Sequence, residues 1–139
     1  MQRIRFVLLI LIVLISGCTG GRLVGEIPTI DRGKFATVHI VRPSKFSGCF
    51  ERRTIQLNGK DFYYLACGEH IVFRVSAEEP LTISETTSVE QDYYELYPEN
   101  GKHYYLHNEC NGLTCRLEKT NKKIFRSLVN DCKHIDLNS

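Results

Sequence analysis

The chain has 139 residues, 42% of them hydrophobic, with 18 Lys and Arg set against 16 Asp and Glu. That length supports one globular domain rather than two. So even a charge balance argues against nucleic acid as a partner and against electrostatic steering of acidic substrates.

The small basic excess belongs to the first segment. Arg3 and Arg5 form a short basic n-region, and Phe6 to Ile15 follows as an apolar run of ten without a charge. A run of that length falls well short of the about 20 residues a membrane-spanning helix needs, but it suits the h-region of a signal peptide. Ile15-Ser16-Gly17-Cys18 then closes the segment with small residues before a cysteine. This pattern resembles the lipobox of bacterial lipoproteins. The resemblance implies cleavage between Gly17 and Cys18, acylation of the Cys18 thiol, and a mature chain that begins at Cys18. One acyl chain holds a protein only reversibly, whereas the two or three implied here make attachment effectively permanent. In that class an aspartate after the cysteine usually retains the product in the inner membrane. Thr19 stands there instead, which implies the outer membrane, facing the periplasm. The competing reading is an ordinary secretory signal followed by an incidental cysteine.

Residues 18–33 hold Gly20, Gly21, Gly25, Pro28 and Gly33 with no sustained apolar period, and read as a flexible tether. Residues 34–139 then form a single domain, and its patterning is strand-like. Ala36 to Arg42 is β-branched and ends at Pro43. Arg53 to Leu57 runs into Asn58-Gly59, a strong hairpin signal. Strands are expected over Phe62 to Ala66, Ile71 to Val75, Leu81 to Thr86, Asp92 to Tyr97, Lys102 to Asn108 and Leu113 to Glu118. Asn100-Gly101 and Asn111-Gly112 supply further turns, and Pro80 suits a strand start. Short strands separated by frequent turn signals indicate an all-β fold, a small antiparallel β-sandwich. The end of the chain differs. Thr120 offers a cap, and Ile124, Phe125, Leu128, Val129 and Cys132 recur at helical period, so one amphipathic helix should lie against the sandwich.

Val38-His39-Ile40-Val41-Arg42-Pro43-Ser44-Lys45-Phe46-Ser47-Gly48, Leu57-Asn58-Gly59-Lys60 and Gly101-Lys102-His103-Tyr104-Tyr105-Leu106 together resemble the bacterial lipoprotein family known as domain of unknown function 2846. The resemblance spans roughly residues 35–130. It implies a small all-β lipoprotein domain and carries no catalytic residues with it. Members typically place a Pro-Gly turn where this chain has Glu79-Pro80-Leu81.

Beyond Cys18 the cysteines are Cys49, Cys67, Cys110, Cys115 and Cys132. An exported chain uses such thiols as disulfides, and an odd number leaves one over. Cys110 and Cys115 flank Asn111-Gly112-Leu113-Thr114 and are expected to bridge a hairpin, while the other pairings stay open. A zinc site is the competing use of His103, His107, Cys110 and Cys115, all of them plausible ligands. On one strand, however, the two histidines would stand roughly 13 Å apart. Cys67-Gly68-Glu69-His70 sets a thiol near an imidazole without the rest of a nucleophilic site. The pairs Tyr63-Tyr64, Tyr93-Tyr94 and Tyr104-Tyr105 should each put one ring in the core and one outside. Charge is segregated, since Glu78 to Glu99 lacks any Lys or Arg while the segment from Leu113 to Lys133 is basic.

The expected function is a non-enzymatic, lipid-anchored module of the cell envelope. It needs no cofactor or metal, is fixed to the membrane through Cys18, and takes another envelope protein or a glycan as partner. The alternative is a zinc-binding or enzymatic lipoprotein built on His103, His107 and the nearby cysteines.

Overall fold

The computed structural model describes residues 20–30, 33–44, 49, 51–87, 91–111 and 114–139. The signal segment, the Gly17–Cys18 cleavage site, the lipidation site, the Asn111-Gly112 turn and the Lys45 to Gly48 part of the family motif lie outside the described residues or run beyond them.

Among the described residues ten strands form two five-stranded sheets packed face to face. In the first, β1 (Arg22–Leu23), β4 (Lys60–Leu65), β3 (Arg53–Leu57), β6 (Leu81–Thr86) and β7 (Gln91–Leu96) lie in that order. All of its pairings are antiparallel. In the second, β10 (Lys133–Asp136), β5 (Glu69–Ser76), β2 (Phe35–Arg42), β8 (His103–Asn111) and β9 (Thr114–Thr120) follow one another. The chain passes back and forth between the sheets, so strands adjacent in space are often distant in sequence. As a result β2 pairs parallel with β8, and β10 pairs parallel with β5, inside an otherwise antiparallel sandwich.

The alternation read from sequence fills the space between the sheets. Val38 and Ile40 from β2, Ile71 and Phe73 from β5, and Leu106 from β8 face Ile55, Phe62, Leu65 and Ile83, all of them buried. Phe62 and Phe73 meet across the sheets with ring centroids 4.8 Å apart. The β3–β4 hairpin turns on Asn58 (φ 50°) and Gly59 (φ 78°), both left-handed, as a two-residue hairpin turn matched to strand twist requires.

Three features depart from the sequence reading. Part of the segment expected to be a flexible tether is sheet: Arg22 and Leu23 pair with Tyr64 and Tyr63 at the edge of β4. The helix, α1 (Lys122–Leu128), is shorter than its apolar stripe and is capped by Asn121, whose side chain accepts from the Ile124 N–H, rather than by Thr120. Of the apolar stripe within α1 only Phe125 is buried, while Ile124 stays 49% exposed. Beyond the helix the chain returns as β10, a strand whose four residues carry too little pattern to be read in advance.

Candidate functional site

Alternation on the second sheet sends one residue in two away from the core. With Val38 and Ile40 inward, His39 points outward; with Ile71 and Phe73 inward, His70 does. The same parity puts His103, Tyr105 and His107 of β8, and His134 of β10, on that outer face. All five histidines of the chain therefore project from one face of one sheet.

Four of them form a continuous row across neighbouring strands. His103 Nδ1 lies 3.0 Å from His39 Nε2. His39 Nδ1 lies 3.3 Å from His70 Nε2, and His70 Nδ1 lies 3.1 Å from His134 Nδ1. Parallel pairing of β10 with β5 sets His134 directly beside His70. Each contact needs one N–H donor and one bare nitrogen, so a neutral row has only two self-consistent tautomer orders, one the reverse of the other.

Phe125 of α1 caps the row. Its ring is 4.9 Å from His70, 5.1 Å from Tyr105 and 5.8 Å from His39, measured between centroids. Burial, then the neighbouring imidazoles His70, His103 and His134 with Lys122, lower the pKa of His39 to about 4. Burial, reinforced by His134, brings His70 to about 4 as well. At neutral pH the lowered pKa values leave the two central rings uncharged, and both nitrogens of each are engaged within the row.

The residues of the alternative zinc reading, His103, His107, Cys110 and Cys115, are not brought together. Cys110 and Cys115 are bonded to each other across the β8–β9 ladder, at directly opposed positions with Cα atoms 4.0 Å apart. Their sulfurs are thus unavailable as thiolate ligands. His103 turns to His39, whereas His107 sits between Glu109 and Glu118, at 3.4 and 4.0 Å. Cys67 is bonded to Cys49, a pairing left open by the sequence, so it offers no thiol to His70. Cys132 is the free thiol among the described residues, its pKa raised by burial. His39, His70 and His134 were missed as site residues. The alternation that turns His39 and His70 outward was readable, but β10, which carries His134, was not, and nothing local says which strands become neighbours.

A second polar cluster lies at the end of the sandwich where β2 finishes. Arg42, Arg53, Glu69, Glu85 and Asn108 are all buried there. Asn108 donates to both carboxylate oxygens of Glu85, at 2.8 and 2.7 Å, and Arg53 Nε stands 3.8 Å from it. Burial raises the Glu85 pKa against the opposing pull of Arg53 and Asn108. Burial, aided by Arg53, lowers Arg42 to about 10. The tyrosine pairs divide broadly as alternation requires, with Tyr63 buried and Tyr93 66% exposed.

No family model matches the chain, and neither a curated protein nor a solved structure matches it.

Proposed function

We propose that this chain is a lipid-anchored module of the bacterial cell envelope that binds rather than catalyses. One observation carries the reading: a basic n-region, a short apolar run and small residues lead directly into Cys18. The disulfides Cys49–Cys67 and Cys110–Cys115 agree with an oxidising compartment. The reading places the domain on the periplasmic side of the outer membrane, with an envelope protein or glycan as its partner. Metabolic labelling with palmitate, followed by membrane fractionation, tests it. The native chain should take up label and sediment with membranes, and Cys18→Ala should lose the label and accumulate uncleaved. An unlabelled mature chain cut elsewhere would refute it.

The histidine row favours a second reading, a module that holds a divalent transition ion. Tetrahedral zinc, with Zn–N distances of about 2.0–2.1 Å, separates neighbouring ligand nitrogens by roughly 3.3 Å. The row has nitrogens 3.0 and 3.3 Å apart at His103–His39 and His39–His70. Among the described residues no three donor side chains converge on one point. The ion would therefore sit between two imidazoles and complete its shell with water. Equilibrium dialysis against zinc decides: retention abolished by His39→Gln supports the reading, and absence of retention by the native chain ends it.

A further inference from the structure

The segment following Cys18 is pinned to the domain by its backbone. Gly21 N–H donates to Glu69 Oε1 at 2.7 Å, Arg22 and Leu23 extend the first sheet, and the Val24 and Gly25 N–H groups both donate to the Phe62 carbonyl. A side chain at Gly21 would collide with the Glu69 carboxylate, the Tyr64 carbonyl and the Tyr63 ring. One at Gly25 would collide with the Asp61 carbonyl. Two chain steps separate Cys18 from Gly20, a reach of about 7 Å at most. A lipid on Cys18 would therefore hold this one end of the sandwich close to the bilayer.

That end carries an open cleft of about 440 Å³, whose lining includes Arg22, Arg42, Arg52, Glu51 and Tyr64. Arg22 and Arg52 are exposed, with the Arg22 guanidinium 5.2 Å from the centre of the Tyr64 ring. Arg42 is buried and donates to the Leu65 and Glu51 carbonyls. Three arginines against the Glu51 carboxylate and the Glu69 carboxylate, which accepts from the Gly21 and Ala66 N–H groups, leave the cleft net cationic. The opposite end lies the length of β2 away, about 25 Å. It is net acidic, with Glu78, Glu79 and Glu99 around the 72%-exposed Tyr97 and Lys34 paired to Glu78 at 3.1 Å.

We propose that the arginine-lined cleft docks onto the phosphate of an anionic phospholipid headgroup. The pinned residues 20–25 then hold the domain in one orientation, with its acidic end pointing away from the membrane. This rests on the lipidation of Cys18 proposed above. The partner follows from the short reach between Cys18 and Gly20 and from the opposite charges of cleft and headgroup. A tether free along its whole length would impose no orientation.

The chain contains no tryptophan, so a single introduced one is a clean reporter. Tyr64→Trp marks the cleft and Tyr97→Trp the acidic end. Each full-length, membrane-extracted chain is first shown by mass to be acylated. It is then reconstituted into phosphatidylcholine vesicles that contain headgroup-spin-labelled lipid, with or without phosphatidylglycerol. The expected result is severalfold stronger quenching at position 64 than at 97, greatest with phosphatidylglycerol and reduced by Arg22→Gln with Arg52→Gln. Equal quenching at both positions in an acylated chain would overturn the orientation. Stronger quenching at 64 that ignores phosphatidylglycerol would overturn the headgroup assignment. A chain without acyl groups would instead refute the function on which the inference rests.

Discussion

His39 and His70 are held neutral by their surroundings, and that has a cost in acid. In the unfolded chain they take up protons near 6.5, whereas in the folded domain they do so near 4. Between these values the unfolded state binds more protons, so stability conferred by the row is fully present above 6.5 and falls as pH drops toward 4. Urea midpoints measured across that window should decline, and His39→Gln with His70→Gln should flatten the decline. An unchanged slope in the double variant would sink the assignment. Glu85, whose folded pKa is raised, acts with the opposite sign in the carboxylate range, so comparing variant with native isolates the imidazoles. Asn108 belongs to the same scale. Removing its amide strips the buried Glu85 carboxylate of two hydrogen bonds, and hydrogen bonds to charged groups contribute about 1.5–3 kcal/mol. Asn108→Ala should cost about 2 kcal/mol in urea unfolding, and the cost should shrink when Glu85→Gln is added.

Among elements, the two disulfides do different work. Cys49–Cys67 spans 18 positions and ties the end of β4 to a connection between the sheets. Loop-closure entropy assigns a bridge of that span about 3 kcal/mol. Cys110–Cys115 spans 5 positions and joins strands that the β8–β9 ladder already holds in register, for which the same relation gives about 2 kcal/mol at most. Paired Cys→Ser variants should therefore show the larger loss of stability at 49 and 67, by denaturant melts in the absence of reductant. The reverse order would mean that residual structure in the unfolded chain outweighs loop length. Local signals explain why the short bridge was legible in the sequence and the longer one was not. Cys110 and Cys115 are related by a hairpin, a two-strand unit set by its own turn. Cys49 and Cys67 meet only once β4 and the crossing connection have packed. The helix shows the same division: its apolar period at Ile124, Phe125 and Leu128 was readable, but which of these side chains would be covered was decided by the sheet beneath, and it chose Phe125.

At the scale of the whole molecule, β10 closes the second sheet by pairing along β5 from Glu69 to Val72. A chain ending after Leu128 would bare that stretch of β5 and remove His134 from the row. An uncovered strand edge is a template for pairing with another chain, so the truncated protein should self-associate in size-exclusion chromatography while the full chain does not. Monomeric behaviour of the truncated chain would show that α1 alone protects the edge. By itself the sequence determined the strand positions, because side chains alternate with period two and turn residues mark the ends; Leu81–Thr86 and Arg53–Leu57 were readable to the residue. It determined the all-β class and the placement of His103 and His107 on one face of a strand. Only the tertiary structure decided that β2 lies between β5 and β8, that β10 joins β5 in parallel, and that residues 22–23 form an edge strand instead of tether. The physical reason is the range of the forces. Alternation and turn chemistry act over a few residues, whereas the neighbours of a strand are chosen by burying one shared core across the whole chain, and the four-histidine row exists only through that choice.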